Sequence, residues 1–210
     1  MVNNLSESFK NTISLDNLGE IAKETAEVTI DTFLKDGILK ELPIVGSLIG
    51  VWKTGIAIRD YRFINKLLSF LDESSKLSFE KREKIIEQLE DEDFQSEAGE
   101  KLLAIIDQLE TASKAKLLGK SLVLFGNKEI TKEEFWRVAY IIEKLPMSDI
   151  IALKEWRNIE LNLVEDVRRH LYLSVGLGWF VLNMSSTGFC WQERLCEIFE
   201  ERLIDKTKMN

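Results

Sequence analysis

Residues 42–58 form a run of seventeen positions with one charge, Lys53, and three glycines, Gly46, Gly50 and Gly55. Such a run has to be buried somewhere: in a core, against another copy of the chain, or in lipid. Each glycine costs a helix about 1 kcal/mol relative to alanine, so three of them need a compensating reason. Gly46 and Gly50 lie four apart, and Ser47, Thr54 and Ala57 add further small side chains. Small residues at that spacing let helix backbones approach closely, as in membrane helix pairs. Pro43 stands where a first helical turn accepts proline. Seventeen residues are close to the minimum for a membrane span. A lysine near the centre costs about 2.5–3.5 kcal/mol on insertion scales, and an oligomer that turns Lys53 and Thr54 toward a wet interior relieves that cost. Pro43, Gly46, Gly50, Trp52, Lys53 and Gly55 are therefore the candidate residues of a membrane or oligomer segment. The other solution is a helix hairpin buried in a soluble core, and the residues alone leave both open.

The rest of the chain narrows the function classes. With 210 residues, 45% of them hydrophobic, it can bury a substantial core. Two prolines and eleven glycines argue against an all-β protein rich in tight turns. Cys190 and Cys196 are too few for a disulfide framework and read as reduced thiols. A single histidine, His170, excludes any metal site built on two. No nucleophile elbow, phosphate loop, dinucleotide fingerprint or zinc-protease motif occurs, so the expectation is a non-enzyme with no cofactor and no metal. Net charge is −8, and residues 72–110 carry thirteen acids against five bases, which is also −8. The acidic block reads as solvated helix surface. It disfavours broad nucleic-acid binding, while the near-neutral remainder leaves room for a local basic surface. The N-terminus has no secretory signal pattern.

Periodicity predicts helices nearly throughout. Residues 4–14 are polar and read as a frayed end. An amphipathic helix over 15–34, suited to a membrane interface, breaks at Asp36-Gly37. The helix begun in the apolar run continues through Ile58, Phe63, Ile64, Leu67, Leu68 and Leu71. Ser78 caps a helix ending at residue 89, with Phe79, Ile85, Ile86 and Leu89 inward. Residues 91–93 are a turn before a helix over 94–109. Ser113 caps 114–125, which ends in a left-handed position at Gly126-Asn127. Thr131 and Glu134 form a capping box before 135–145, and Ser148-Asp149 cap 150–156. A helix over 161–175, strands at 179–182 and 189–191 around a turn, and a helix over 192–204 complete the chain. The fold class is mainly α. An N-terminal helical hairpin bears the glycine-rich apolar segment (1–71), a multi-helix body follows (72–158), and a winged-helix-like module of helix, β-hairpin and helix ends the chain (159–210).

In that last module Arg168 and Arg169 adjoin a hairpin bearing Trp179 and Trp191. Cations beside aromatic faces are a candidate surface for an anionic ligand or oligonucleotide, or for a partner protein. His170 beside them reads as an ordinary surface or half-buried histidine.

The run Leu42-Pro43-Ile44-Val45-Gly46, then Ile58-Arg59-Asp60, Phe63, Lys66-Leu67 and Phe70-Leu71, resembles a group of small bacterial proteins with a P-I-V-G … I-R-D-x-x-F-x-x-K-L signature. Lys114 to Gly119, Ile130 to Phe135, and Leu171 to Leu177 are similar to that group as well. The resemblance implies an accessory or effector component of a bacterial antiviral defence locus, and carries no catalytic residue. The leading expectation is an effector that forms homo-oligomers and engages inner-membrane lipid from the cytoplasmic side as an ion channel, controlled by a ligand or partner at the C-terminal module. The alternative is a cytoplasmic interaction or regulatory protein with a winged-helix-like end that binds protein or nucleic acid.

Overall fold

A computed structural model describes residues 5–27, 41–51, 58–90, 98–158, 166–183 and 186–204. These residues hold eleven α-helices and one two-stranded antiparallel hairpin, so the fold is mainly α. The chain divides into two compact units, residues 1–132 and 133–210.

In the first unit the helices are α1 (Leu5–Ile13), α2 (Leu18–Glu27), α3 (Pro43–Val51), α4 (Ile58–Ser74), α5 (Phe79–Leu89), α6 (Ala98–Gln108) and α7 (Ala112–Gly126). The stretch expected to fray is instead α1. Its Ser6, Phe9 and Ile13 fall on one face at helical spacing and are buried, and the Phe9 ring stacks on Phe70 of α4 with centroids 6.0 Å apart. Burying one such phenylalanine contributes about 1.5–3 kcal/mol, enough to order a short helix whose composition is otherwise polar.

The principal packing of this unit is α4 on α7. Phe63, Ile64, Leu67, Phe70 and Leu71 line the inner face of α4, as their spacing predicts. Gly119 lets the two backbones meet: a Cβ there would stand 2.7 Å from the Phe70 carbonyl oxygen and 2.7 Å from Glu73 Cβ. Glu73 is buried beside this contact, paired with Lys76 and, at 3.3 Å, with Lys116.

Several local expectations change. Ser78 is the N-cap residue of α5, but Phe79 points to solvent and Arg82 takes the inward position with Ile85, Ile86 and Leu89. The cap of α7 is Thr111, whose Oγ1 accepts the Lys114 amide, rather than Ser113. At the far end of α7 Asn127 stays right-handed and the positive φ, 61°, falls on Lys128. Gly126 is small for packing, because an added Cβ would come within 2.9 Å of Leu77. Residues 91–93 lie outside the described residues.

The second unit holds α8 (Lys132–Lys144), α9 (Met147–Arg157), α10 (Asp166–Ser174), strands β1 (Gly178–Asn183) and β2 (Ser186–Trp191), and α11 (Glu193–Glu197), which runs into a π-helical turn over Ile198–Leu203. Helix, hairpin and helix thus follow in the expected order. Pro146, not Ser148 or Asp149, occupies the N-cap of α9, which moves Asp149 inside the first turn, where it is buried. Gly176, at φ +77°, closes α10, and the chain enters β1 directly.

Candidate functional site

The glycine-rich segment begins as core. Leu42, Ile44 and Val45 are fully buried, and α3 packs on α1. Thr12, itself buried on α1, accepts the Ile44 amide at 3.0 Å while its hydroxyl donates to the Ser8 carbonyl at 2.8 Å. One side chain thereby satisfies an amide that the first turn of α3 would otherwise leave open. The Ser8 and Ser47 hydroxyl oxygens are 2.7 Å apart, and Ser47 also donates to the Pro43 carbonyl at 3.1 Å. Pro43 is the half-buried first residue of α3, as the sequence predicts. Gly46, expected at a close backbone contact, is exposed, with nothing within 4 Å of where a Cβ would stand. Gly50 lies within α3, while Trp52, Lys53 and Gly55 lie outside the described residues. Among the described residues no helix is long and apolar enough to cross a membrane.

The C-terminal candidates are separated by the hairpin register. Trp179 pairs with Cys190 and Trp191 with Gly178; neighbours along a strand alternate faces, so the two tryptophans sit on opposite sides. Trp191 is half-buried against Tyr172, centroids 5.3 Å apart, and against Phe189 at 5.0 Å. Gly178 is a necessary part of that side, because a Cβ there would run into the Phe189 ring. Phe180 extends the same side edge-on to Phe189 at 5.7 Å and remains 46% exposed. Trp179, on the other side, is 47% exposed.

Both arginines are engaged within the unit. Arg168 lies over the Trp156 ring, 4.2 Å from its centroid, and its Nε stands 2.9 Å from Asp149 Oδ1, a charge contact rather than a directed hydrogen bond. Arg169 pairs with Asp166 one turn back. His170 is exposed, with Nδ1 2.7 Å from the Asp166 carbonyl oxygen.

Asp149, Trp156 and Tyr172 are the residues that sequence reasoning missed here. Tyr172 is fully buried and donates its hydroxyl to the Asp149 carbonyl at 3.0 Å, so Asp149 is held from two sides by α10. Burial, then the Asp149 charge, pushes the Tyr172 phenol up, and Arg168 pulls it back in part. A usable signal was the spacing of Arg168 and Tyr172, four apart on one helix face. Beneath the hairpin, Cys196 is buried 3.8 Å from the Leu177 carbonyl, which also accepts the Gln192 amide at 2.8 Å. Among the described residues no group of three or more His, Cys, Asp or Glu could hold a metal ion.

The arrangement thus offers exposed aromatic surface with its neighbouring cations already paired. No protein-family model, curated protein or solved structure matches this chain.

Proposed function

We propose that the protein is a non-enzymatic helical interaction protein that self-associates through its C-terminal hairpin. The observation that carries this reading is the exposure of Trp179 and Phe180, at 47% and 46%, on a hairpin whose neighbouring arginines are already paired. Val167, on the helix before the hairpin, is 73% exposed. Trp179 and Phe180 lie on opposite sides of the hairpin, so each side presents one exposed aromatic ring, and aromatic residues dominate the energetics of contact surfaces. With Arg168 and Arg169 facing Asp149 and Asp166, an apolar partner fits better than a polyanion. Sedimentation equilibrium of the full chain tests it. The wild type should associate at micromolar concentration, and Trp179→Ser with Phe180→Ser should leave folded monomer. A wild type that stays monomeric would reject the reading.

One observation favours a second reading. Helix α3 carries no charged residue on any face, whereas a helix at a protein surface ordinarily has a polar side. In this reading α3 leaves α1, and the segment joins others in the inner membrane of a bacterium as the pore of an antiviral effector. Dye release from vesicles of anionic lipid tests it: release by wild type supports it, and none argues against it.

A further inference from the structure

Within the first unit, a cavity of about 500 Å³ opens between α4 and the C-terminal end of α6 with the link to α7. Its two walls differ in charge. On the α4 side stand Arg62 and Lys66, one turn apart, with Asn65 beside them; on the other side stand Asp107, in the last turn of α6, and Glu110, on the link. Lys66 is buried, and its ammonium donates to the carbonyls of Asp107 at 2.5 Å and Leu109 at 2.9 Å. It therefore ties the link to α4 and fixes the separation of the walls before anything binds. Thr111, capping α7, holds the far end of the link. Glu110 is kept near the cavity by Lys114, a wholly buried lysine whose ammonium lies 3.1 Å away. Arg62 is exposed at the rim.

We propose that this cavity binds a small dipolar molecule, a free α-amino acid or a short peptide, with its carboxylate toward Arg62 and its ammonium toward Asp107 and Glu110. The lining selects for both charges at once. A simple anion at Arg62 would sit before two carboxylates, and a simple cation would sit before Arg62 and Lys66. A polyanion such as a nucleoside triphosphate would suffer most, because it brings several negative charges before the same carboxylates. The volume lies within the range of about 300–1,000 Å³ usual for small-molecule sites. Arginine suits the carboxylate because its planar fork can make two parallel hydrogen bonds to it. This site is independent of the hairpin and stands whether or not the protein self-associates.

The test uses the full chain and ligand-observed NMR, with the common L-amino acids and glycylglycine as probes and acetate and methylammonium as controls. At least one dipolar probe should bind saturably, with a dissociation constant of about 0.1–1 mM. Its N-acetyl derivative and its amide should each bind about tenfold or more weakly, because each lacks one charge. Arg62→Met, a change at an exposed position, should weaken binding by about tenfold at unchanged melting temperature. No binding of any dipolar probe at about 10 mM, acetate binding as well as the best probe, or full affinity in folded Arg62→Met would overturn the proposal.

Discussion

Arg82 donates from Nη1 to the Ile13 carbonyl at 2.9 Å and to the Leu15 carbonyl at 2.7 Å, so a single buried guanidinium closes the C-terminal end of α1. Its Nε donates to the Leu77 carbonyl at 3.1 Å, which joins the end of α1 to the turn between α4 and α5. Burial pulls the guanidinium's pKa down, with the Asp16 charge acting against it. Removing the group takes a side-chain donor from each of three carbonyls, of which Leu15 keeps the Leu18 amide at 3.3 Å. Arg82→Met should lower the free energy of unfolding by about 2–4 kcal/mol, read as a lower urea midpoint at unchanged slope. Arg82→Lys should recover less than half of this, since a single ammonium cannot span the three acceptors as the planar fork does.

Two glycines should respond in opposite directions. At Gly119 an added methyl meets the Phe70 carbonyl oxygen and Glu73 Cβ at 2.7 Å, so Gly119→Ala forces α4 and α7 apart. The overpacking costs about 1–3 kcal/mol and exceeds the helix propensity gained, about 1 kcal/mol. At Gly46 the same methyl meets nothing, so Gly46→Ala should raise stability by about 0.5–1 kcal/mol. Paired denaturation curves of the two variants check both signs.

This contrast shows where sequence reading works and where it stops. The inner face of α4, the cap position at Ser78 and the hairpin follow from apolar spacing and turn residues, which act locally. Helix α1 was hidden because its apolar face is three residues wide in a polar stretch. Arg82, Lys66 and Lys114 lie on apolar stripes and are buried, yet charged side chains are ordinarily read as solvent-facing. Their acceptors or partners come from elsewhere in the chain, or, for Lys114, from Glu110 one turn back. The importance of Gly119 depends on α4 packing across it, and spacing within α7 alone does not reveal that. Arg168 reads as a ligand-facing cation in the sequence because Asp149 reads as a helix cap, not as a buried counter-charge, and Arg169 pairs instead with Asp166 one turn back.

Stability should fall in alkali. Burial pushes the Cys196 thiol from its ordinary 9.0 up to about 12, with Arg157 opposing and Glu200, Glu193 and Glu197 adding to the rise. Burial also pushes Tyr172 above its ordinary 10.0. Each group keeps in the fold a proton that the unfolded chain releases. The contribution of Cys196 is therefore complete below about pH 9 and is lost as pH rises toward 12, and that of Tyr172 begins to be lost only above its ordinary 10.0. Urea titrations from about pH 8 to 10.5 should show a declining free energy of unfolding, by up to about 1.4 kcal/mol per pH unit for each proton involved. Cys196→Ala should be less stable at neutral pH but decline less steeply.

The attachment of α3 to α1 separates the interaction protein from the membrane effector, and a disulfide in place of the Ser8–Ser47 contact tests it most directly. The two hydroxyl oxygens are 2.7 Å apart across 39 residues of chain, so sulfurs in their place start within reach of a bond of about 2.05 Å. Ser8→Cys with Ser47→Cys, oxidised and confirmed by peptide mapping against Cys190 and Cys196, locks the start of the glycine-rich segment in place. If the segment is a fixed part of the core, the bond closes in the folded protein and stability rises by about 2–4 kcal/mol. Vesicles of anionic lipid then retain their dye in both redox states. Dye release by the reduced protein that stops when the bond closes would mean that α3 must leave α1 to act, and would contradict the interaction reading.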